Sequence, residues 1–322
     1  MRHIITGGSG FVGTYMASVL AERGENVVVF DLDEPLGMKS SLDFILGDVR
    51  QHRDLRKLQL QRDDVVYHLA ARQFHGDVPY RNRDQWFSDV NVNGTRCLLE
   101  AISAGHTQRL VFFSTDMTYG KPERTPVNPT DMQRPIGPYG RSKVAAERLL
   151  MHACREFGLH ATIFRPRLIA GAGRLGILMK LFRLIRAGLP IPLVGTGENR
   201  YQMIAVEDCV TAALAAVERN CPSGPFHLGS REPPTVKELL RELTRRAGSR
   251  SVLLPVPAII LKPILSLLDN VALTLLYPEQ FAIANIDYLL DIEATTKGLG
   301  WAPIWSDMDI IYEAYTGFLK SL

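Results

Sequence analysis

Short apolar runs alternate with helical stripes through the first half of the chain. His3-Ile-Ile-Thr6 reads as a buried strand, and after a glycine-rich turn Val12, Tyr15, Met16, Val19 and Leu20 fall on one face of a helix that stops at Gly24. The strand pattern returns at Val27–Phe30, Phe44–Asp48, Asp64–Ala71 and Arg109–Phe113, and a long helical pattern runs from Asp84 to Ala104. Strands alternating with helices predict an α/β fold built on a doubly wound parallel sheet. Beyond it the pattern predicts a helix from Ile177 to Ala187, a helix from Glu207 to Arg219, a strand from Pro225 to Leu228 and a helix from Thr235 to Ala247. A domain built on the sheet is expected from residues 1–165 and mainly a smaller C-terminal lobe from 166–322, with some segments, about 202–219, returning to the first domain.

The apolar segment 252–277 is broken by Pro255, Pro257, Lys262, Pro263 and Asp269. It lacks the ~20 uninterrupted apolar residues that cross a bilayer. Three roles remain for it, ranked as substrate lid, core helices, and an interfacial surface making peripheral membrane contact.

Composition narrows the class. The 322 residues are 46% hydrophobic and 22% charged, with a formal charge of +3, which fits a globular protein and gives no basis for nucleic-acid binding. Cys97, Cys154, Cys209 and Cys221 have no metal-ligand spacing, so no metal is expected, and a cytoplasmic setting suits them. No charged-then-apolar leader precedes the first strand.

Chemistry enters at the ends of the strands. Gly7, Gly10 and Gly13 sit between strand and helix, where they permit a tight turn, close approach to a pyrophosphate and helix–sheet packing. Asp31 ends the second strand, eighteen positions past Gly13. A carboxylate there accepts from an adenosine ribose and repels a 2′-phosphate, favouring NAD over NADP. His68 lies inside an apolar run and reads as a core histidine, whereas His75, beyond that strand's carboxyl end, is a substrate-contact candidate. Ser114 or Thr115 can present a hydroxyl at the end of the fifth strand. Tyr139 and Lys143 are four apart at the head of a helical pattern and share a face. A free phenol, with a pKa of about 10, is a poor base, but a fixed ammonium favours its phenolate.

Thr6–Gly13, the acid at 31, Gly47-Asp48-Val49, His68–Ala71, Asn91–Thr95, Ser114-Thr115 with Tyr119-Gly120, and Tyr139-x-x-x-Lys143 together resemble the extended short-chain dehydrogenase/reductase family. The nearest resemblance is to its NAD-dependent sugar-nucleotide epimerases and dehydratases, and Leu299-Gly-Trp301-Ala-Pro303 is similar to a late segment of the same family. The resemblance implies a Rossmann sheet on which Gly7, Gly10, Phe11, Val12 and Gly13 hold the dinucleotide. It also implies that Asp48 and Val49 contact adenine, that Leu69, Ala70 and Ala71 line the cofactor, and that Lys143 contacts the nicotinamide ribose. Tyr139 becomes the base, and Thr115 the hydroxyl that holds the reacting sugar oxygen, with Ser114 and Asp116 beside it. A homodimer through the helices around Asp84–Ala104 and Pro138–Phe157 is a further implication.

No carboxylate occurs from 157 to 197, a 41-residue interval containing Arg165, Arg167, Arg174, Lys180, Arg183 and Arg186. Such a stretch favours an anionic small-molecule substrate, either a nucleoside diphosphate sugar or a lipid-linked diphosphate. Arg165 and Arg174 are candidate contacts. The family's pyrophosphate-binding arginine falls on Tyr201 when counted back from Asp208, and Arg200 is one position away, a shift that turns a strand side chain to the other face. Arg200 is carried as a substrate candidate on that condition. The family's 4,6-dehydratases carry Thr-Asp-Glu where this chain reads Thr115-Asp116-Met117, and methionine cannot abstract a proton. The expected reaction is therefore C4 epimerisation through a transient 4-keto sugar. The alternatives are a dehydrogenase or reductase of a ketosugar, lipid-linked sugar or hydroxysteroid-like substrate, and a non-catalytic NAD sensor.

Overall fold

The computed structural model describes residues 1–35, 42–74, 78–173, 178–270 and 276–322. His75 and Arg174 lie outside the described residues. In chain order the strands are β1 (Arg2–Thr6), β2 (Asn26–Asp31), β3 (Asp43–Leu46), β4 (Val65–His68), β5 (Arg109–Phe113), β6 (His160–Pro166), β7 (Leu168–Ala170), β8 (Ile191–Val194), β9 (Met203–Ala205), β10 (Gly224–Leu228) and β11 (Leu253–Val256). The helices are α1 (Phe11–Glu22), α2 (His52–Leu55), α3 (Arg83–Ser88), α4 (Thr95–Ala104), α5 (Pro138–Phe157), α6 (Leu178–Ala187), α7 (Val206–Glu218), α8 (Val236–Arg246), α9 (Ala258–Asn270), α10 (Pro278–Ala282), α11 (Glu293–Leu299) and α12 (Asp307–Lys320).

Seven strands form one sheet in the order β10-β6-β5-β4-β1-β2-β3, with every neighbouring pair parallel. Ile4, Ile5, Val27–Phe30, Val65–Tyr67 and Leu110–Phe112 are buried on both sides, which explains why these strands read as continuous apolar runs. Met16 and Leu20 of α1 meet Cys209, Val210 and Ala213 of α7 over one face. Leu98 and Ile102 of α4 meet Leu150 and Ala153 of α5 over the other. Chain order reverses between β1 and β4, so a crevice opens at the strands' carboxyl ends.

The helical pattern from Asp84 to Ala104 resolves into α3, a π-helical stretch from Asp89 to Gly94, and α4. The wider turn carries Asn91 inward, where its amide donates to Ser142 Oγ at 2.9 Å and accepts from the Arg72 N–H at 2.8 Å. Periodicity alone did not distinguish this bulge from a straight helix.

Phe182 and Ile185 of α6, Leu239 and Leu243 of α8, and Ile310, Tyr315 and Phe318 of α12 build a second core around β7, β8 and β9. The segment 252–277 supplies β11, paired with β8, and α9, which contains Pro263. Leu265 of α9 is buried, while Ile259, Ile260, Ile264 and Leu267 are exposed. Among the described residues no helix is long and apolar enough to cross a membrane.

Candidate active site

A cavity of about 620 Å³ opens at the crevice. One part of its wall is the turn after β1, with Gly7, Gly10, Phe11, Val12 and Gly13, and Leu69 and Ala71 at the end of β4 continue it. Gly7 has φ +74°, and a Cβ there would collide with the Ala70 backbone; one at Gly13 would meet Gly7 O and Gly8 Cα at 2.5 Å. Neither position tolerates a side chain. No side chain caps α1 and no acidic residue lies in its first turn, so the positive end of the helix faces the cavity uncompensated. This cradle fits a dinucleotide pyrophosphate.

Asp31 has one carboxylate oxygen accepting from the Ser9 N–H at 2.9 Å and the other from the Leu32 N–H at 2.7 Å. Burial raises its pKa, partly opposed by those two hydrogen bonds. Asp48 is engaged by Arg50, whose Nε lies 3.0 Å from each oxygen, and this pair holds the carboxylate below its usual range. Val49 is buried against Gly94.

Opposite the turn stand Ser114, Thr115, Asp116 and Tyr139. Gly137 and Pro138 start α5, and the Tyr139 ring packs edge-on to Phe74 with centroids 5.3 Å apart. Lys143 follows one turn later, buried, with its Nζ 4.4 Å from the Phe112 ring centroid. Burial lowers its pKa to about 7, and Glu147 opposes that shift. Thr115 Oγ1 donates to Asp116 Oδ1 at 3.2 Å. The Ser114 hydroxyl instead donates to Glu147, behind the cavity wall. His68 is a core residue, bonded through its two ring nitrogens to Thr6 Oγ1 at 2.7 Å and Thr95 Oγ1 at 2.9 Å.

The arginines separate. Arg165 lies outside the cavity wall; it donates from Nε and Nη2 to Glu147 at 3.0 and 2.6 Å and from Nη1 to the Pro129 carbonyl at 2.9 Å. The expectation that it meets substrate is corrected: all three of its nitrogens are committed to the protein. Arg200 is also held elsewhere, by Asp287 at 2.9 Å on the surface, while Tyr201 lines the cavity. Both residues precede β9 and make only isolated bridges, Arg200 with Thr235 and Tyr201 with Tyr288. Arg167, not singled out from the sequence, does line the cavity and pairs with Asp116 at 2.5 Å. The chain leaves the large sheet at Pro166 and pairs with β9 through β7, so Arg167 sits at a junction that strand periodicity does not encode. Glu279 is a second residue the sequence did not mark, accepting from the Tyr139 and Gly140 N–H groups at 3.2 and 3.4 Å.

Among known protein families, residues 3–229 match the NAD dependent epimerase/dehydratase family. The chain belongs to that family. Its cofactor is NAD, in keeping with the cradle around Gly7 and Gly13. The chain is 30% identical over 317 residues to the y4nG protein of Sinorhizobium fredii, covering 98% of this chain and 78% of that one. It is 28% identical to a UDP-glucose 4-epimerase of Lacticaseibacillus casei, with 97% of this chain and 95% of the relative covered. A UDP-glucose 4-epimerase of Streptomyces lividans is 36% identical over 54% of each protein. The fold is similar to that of the Bacillus cereus UDP-glucuronic acid 4-epimerase solved with NAD, at TM-score 0.79, 22% identity, and coverage of 100% of this chain and 99% of that one. In this family member the cavity joins the glycine turn to Thr115 and Tyr139.

Proposed function

We propose that the protein epimerises the sugar of a nucleoside diphosphate sugar at C4 by transient oxidation to a 4-keto intermediate. The observation that carries this reading is the meeting, in one cavity, of the glycine turn with Thr115 and Tyr139, where Met117 replaces a titratable group. NAD supplies the acceptor and donor of the hydride. Tyr139 takes the hydroxyl proton and returns it, Lys143 favours the phenolate by its charge, and Thr115 holds the reacting oxygen. Asp31 would hold the adenosine ribose of the cofactor, and Asp48 and Val49 its adenine. Asp116 is engaged by Arg167 and Met117 has no proton to exchange, which supports epimerisation over dehydration.

The test is incubation with UDP-, GDP-, CDP- and dTDP-hexoses and NAD. Interconversion of two C4 epimers without NADH accumulation is the expected result; an oxidised product formed with stoichiometric NADH would mark a dehydrogenase. Tyr139→Phe should lower turnover about 10²–10⁴-fold while NAD binding persists, and an active variant would remove the mechanism. A carrier other than a free nucleotide is the second reading, supported by the engagement of Arg200 with Asp287 outside the cavity. Thermal shift separates the two: a ligand at one hundred times its Kd adds about 2.7 kcal/mol, and no shift with any nucleotide sugar would favour the second.

A further inference from the structure

Arg167 is almost fully buried and lines the cavity, yet its donors are only partly used. Nη1 donates to Asp116 Oδ2 at 2.5 Å and Nε points to the Tyr288 carbonyl at 3.4 Å, whereas Nη2 is buried without a hydrogen-bond partner among the described residues. The guanidinium is fixed between two rings, 4.5 Å from the Tyr201 centroid and 4.2 Å from that of Tyr288. Tyr288 also donates to the Asp116 carbonyl at 2.7 Å, which fixes the carboxylate's own residue. A rigid buried donor left open is destabilising, and buried polar groups are otherwise almost always paired. Ligand binding would supply the missing acceptor.

The pair belongs to the sugar end of the cavity, because Asp116 Oδ1 accepts from Thr115 Oγ1 at 3.2 Å. Its formal charges cancel. Both members line the cavity, so a sugar hydroxyl can accept from the guanidinium and donate to the Asp116 carboxylate, matching both halves of the pair. A carboxylate on the sugar can use only the donor half and would stand against Asp116, where like charges in a desolvated site repel strongly.

Resting on the epimerase reading above, we infer that Asp116 and Arg167 form a charge-neutral specificity element that accepts a hydroxyl of a neutral hexose and rejects a hexuronate. Each nucleotide sugar then pays a different electrostatic cost at the same atoms, and neutralising Asp116 leaves Arg167 as a net cation.

The test compares kcat/KM for UDP-glucose and UDP-glucuronate, each assayed as epimerisation with NAD, in the wild type and in Asp116→Asn. The wild type should prefer UDP-glucose by about a hundredfold, and Asp116→Asn should move the ratio towards UDP-glucuronate by at least about tenfold through KM. A wild-type ratio that is flat or favours the uronate overturns the inference whether or not the variant folds. An unchanged ratio in a folded variant overturns it as well. Turnover of neither sugar, with no thermal shift from any UDP-, GDP-, CDP- or dTDP-hexose, would overturn the nucleotide-sugar reading and this inference with it, whereas turnover of both at equal efficiency overturns this inference alone.

Discussion

Two buried arginines two residues apart along the chain each pair with a buried carboxylate. Arg165 donates two hydrogen bonds to Glu147, Ser114 and Gln133 donate to the same carboxylate, and the Pro129 carbonyl accepts from the remaining guanidinium nitrogen. Arg167 and Asp116 share one short contact at the cavity wall and leave the buried Nη2 without a partner among the described residues. A closed network of this kind fixes packing and has no donor to offer a ligand. An open one costs stability and gains recognition. Sequence spacing makes the two arginines look alike, and only hydrogen-bond accounting separates structure from site.

The comparison is broken most directly at Glu147. Glu147→Ala strands Arg165 without its counter-charge and leaves Ser114 unpaired, so the protein should lose about 3–5 kcal/mol of stability, measured by urea unfolding. A loss below about 1 kcal/mol would mean that the network is not the fixed scaffold described here.

Glu279 sharpens the contrast, since it is a buried carboxylate held by two backbone N–H groups with no ion pair among the described residues. Burial raises its pKa to about 7, opposed by those hydrogen bonds and by Arg141. For an acid whose folded pKa is raised, the stabilising contribution is present below the unfolded value near 4.5 and is lost as pH rises through about 7. Glu279→Gln keeps one acceptor for the first turn of α5 and removes the titration. The variant should therefore gain on the wild type between pH 5 and 8, by at most on the order of 3 kcal/mol. Equal melting-temperature differences at both pH values would contradict the shift.

The smallest effect is expected at Arg200. Its pair with Asp287 is about half exposed, so Arg200→Ala should cost less than about 1 kcal/mol and leave the KM for UDP-glucose within about twofold. A tenfold rise in KM would place Arg200 on the diphosphate after all.

What the sequence made legible was local. The glycine turn, the acid at the end of β2, and Tyr139 with Lys143 are spaced by the geometry of one turn or one helix, and local geometry survives folding unchanged. The misassigned arginine is different. Arg165 and Arg167 have the same alternation, but the chain changes sheets at Pro166, and the groups that close Arg165 and not Arg167 are Glu147 of α5 and the Pro129 carbonyl, both remote in sequence. Glu279 gave no local signal at all, because the groups it binds are about 140 residues earlier. The π-helical stretch was missed for a related reason: Asn91 turns inward to meet Arg72 and Ser142, neither of which the apolar stripe records.

The order of the large sheet sets a timetable for its assembly. β10 is the edge partner of β6, yet 57 residues lie between them, and Leu299 and Trp301 must still arrive to pack in the core formed by α1 and α7. At 5–20 residues per second, a ribosome needs roughly 3–11 s to deliver the missing strand, during which the outer edge of β6 can be templated by another chain. Non-local parallel pairing is slow even after release. Cutting the chain after α5 and β6 would make that waiting period permanent, so the dinucleotide-binding half should aggregate when expressed alone.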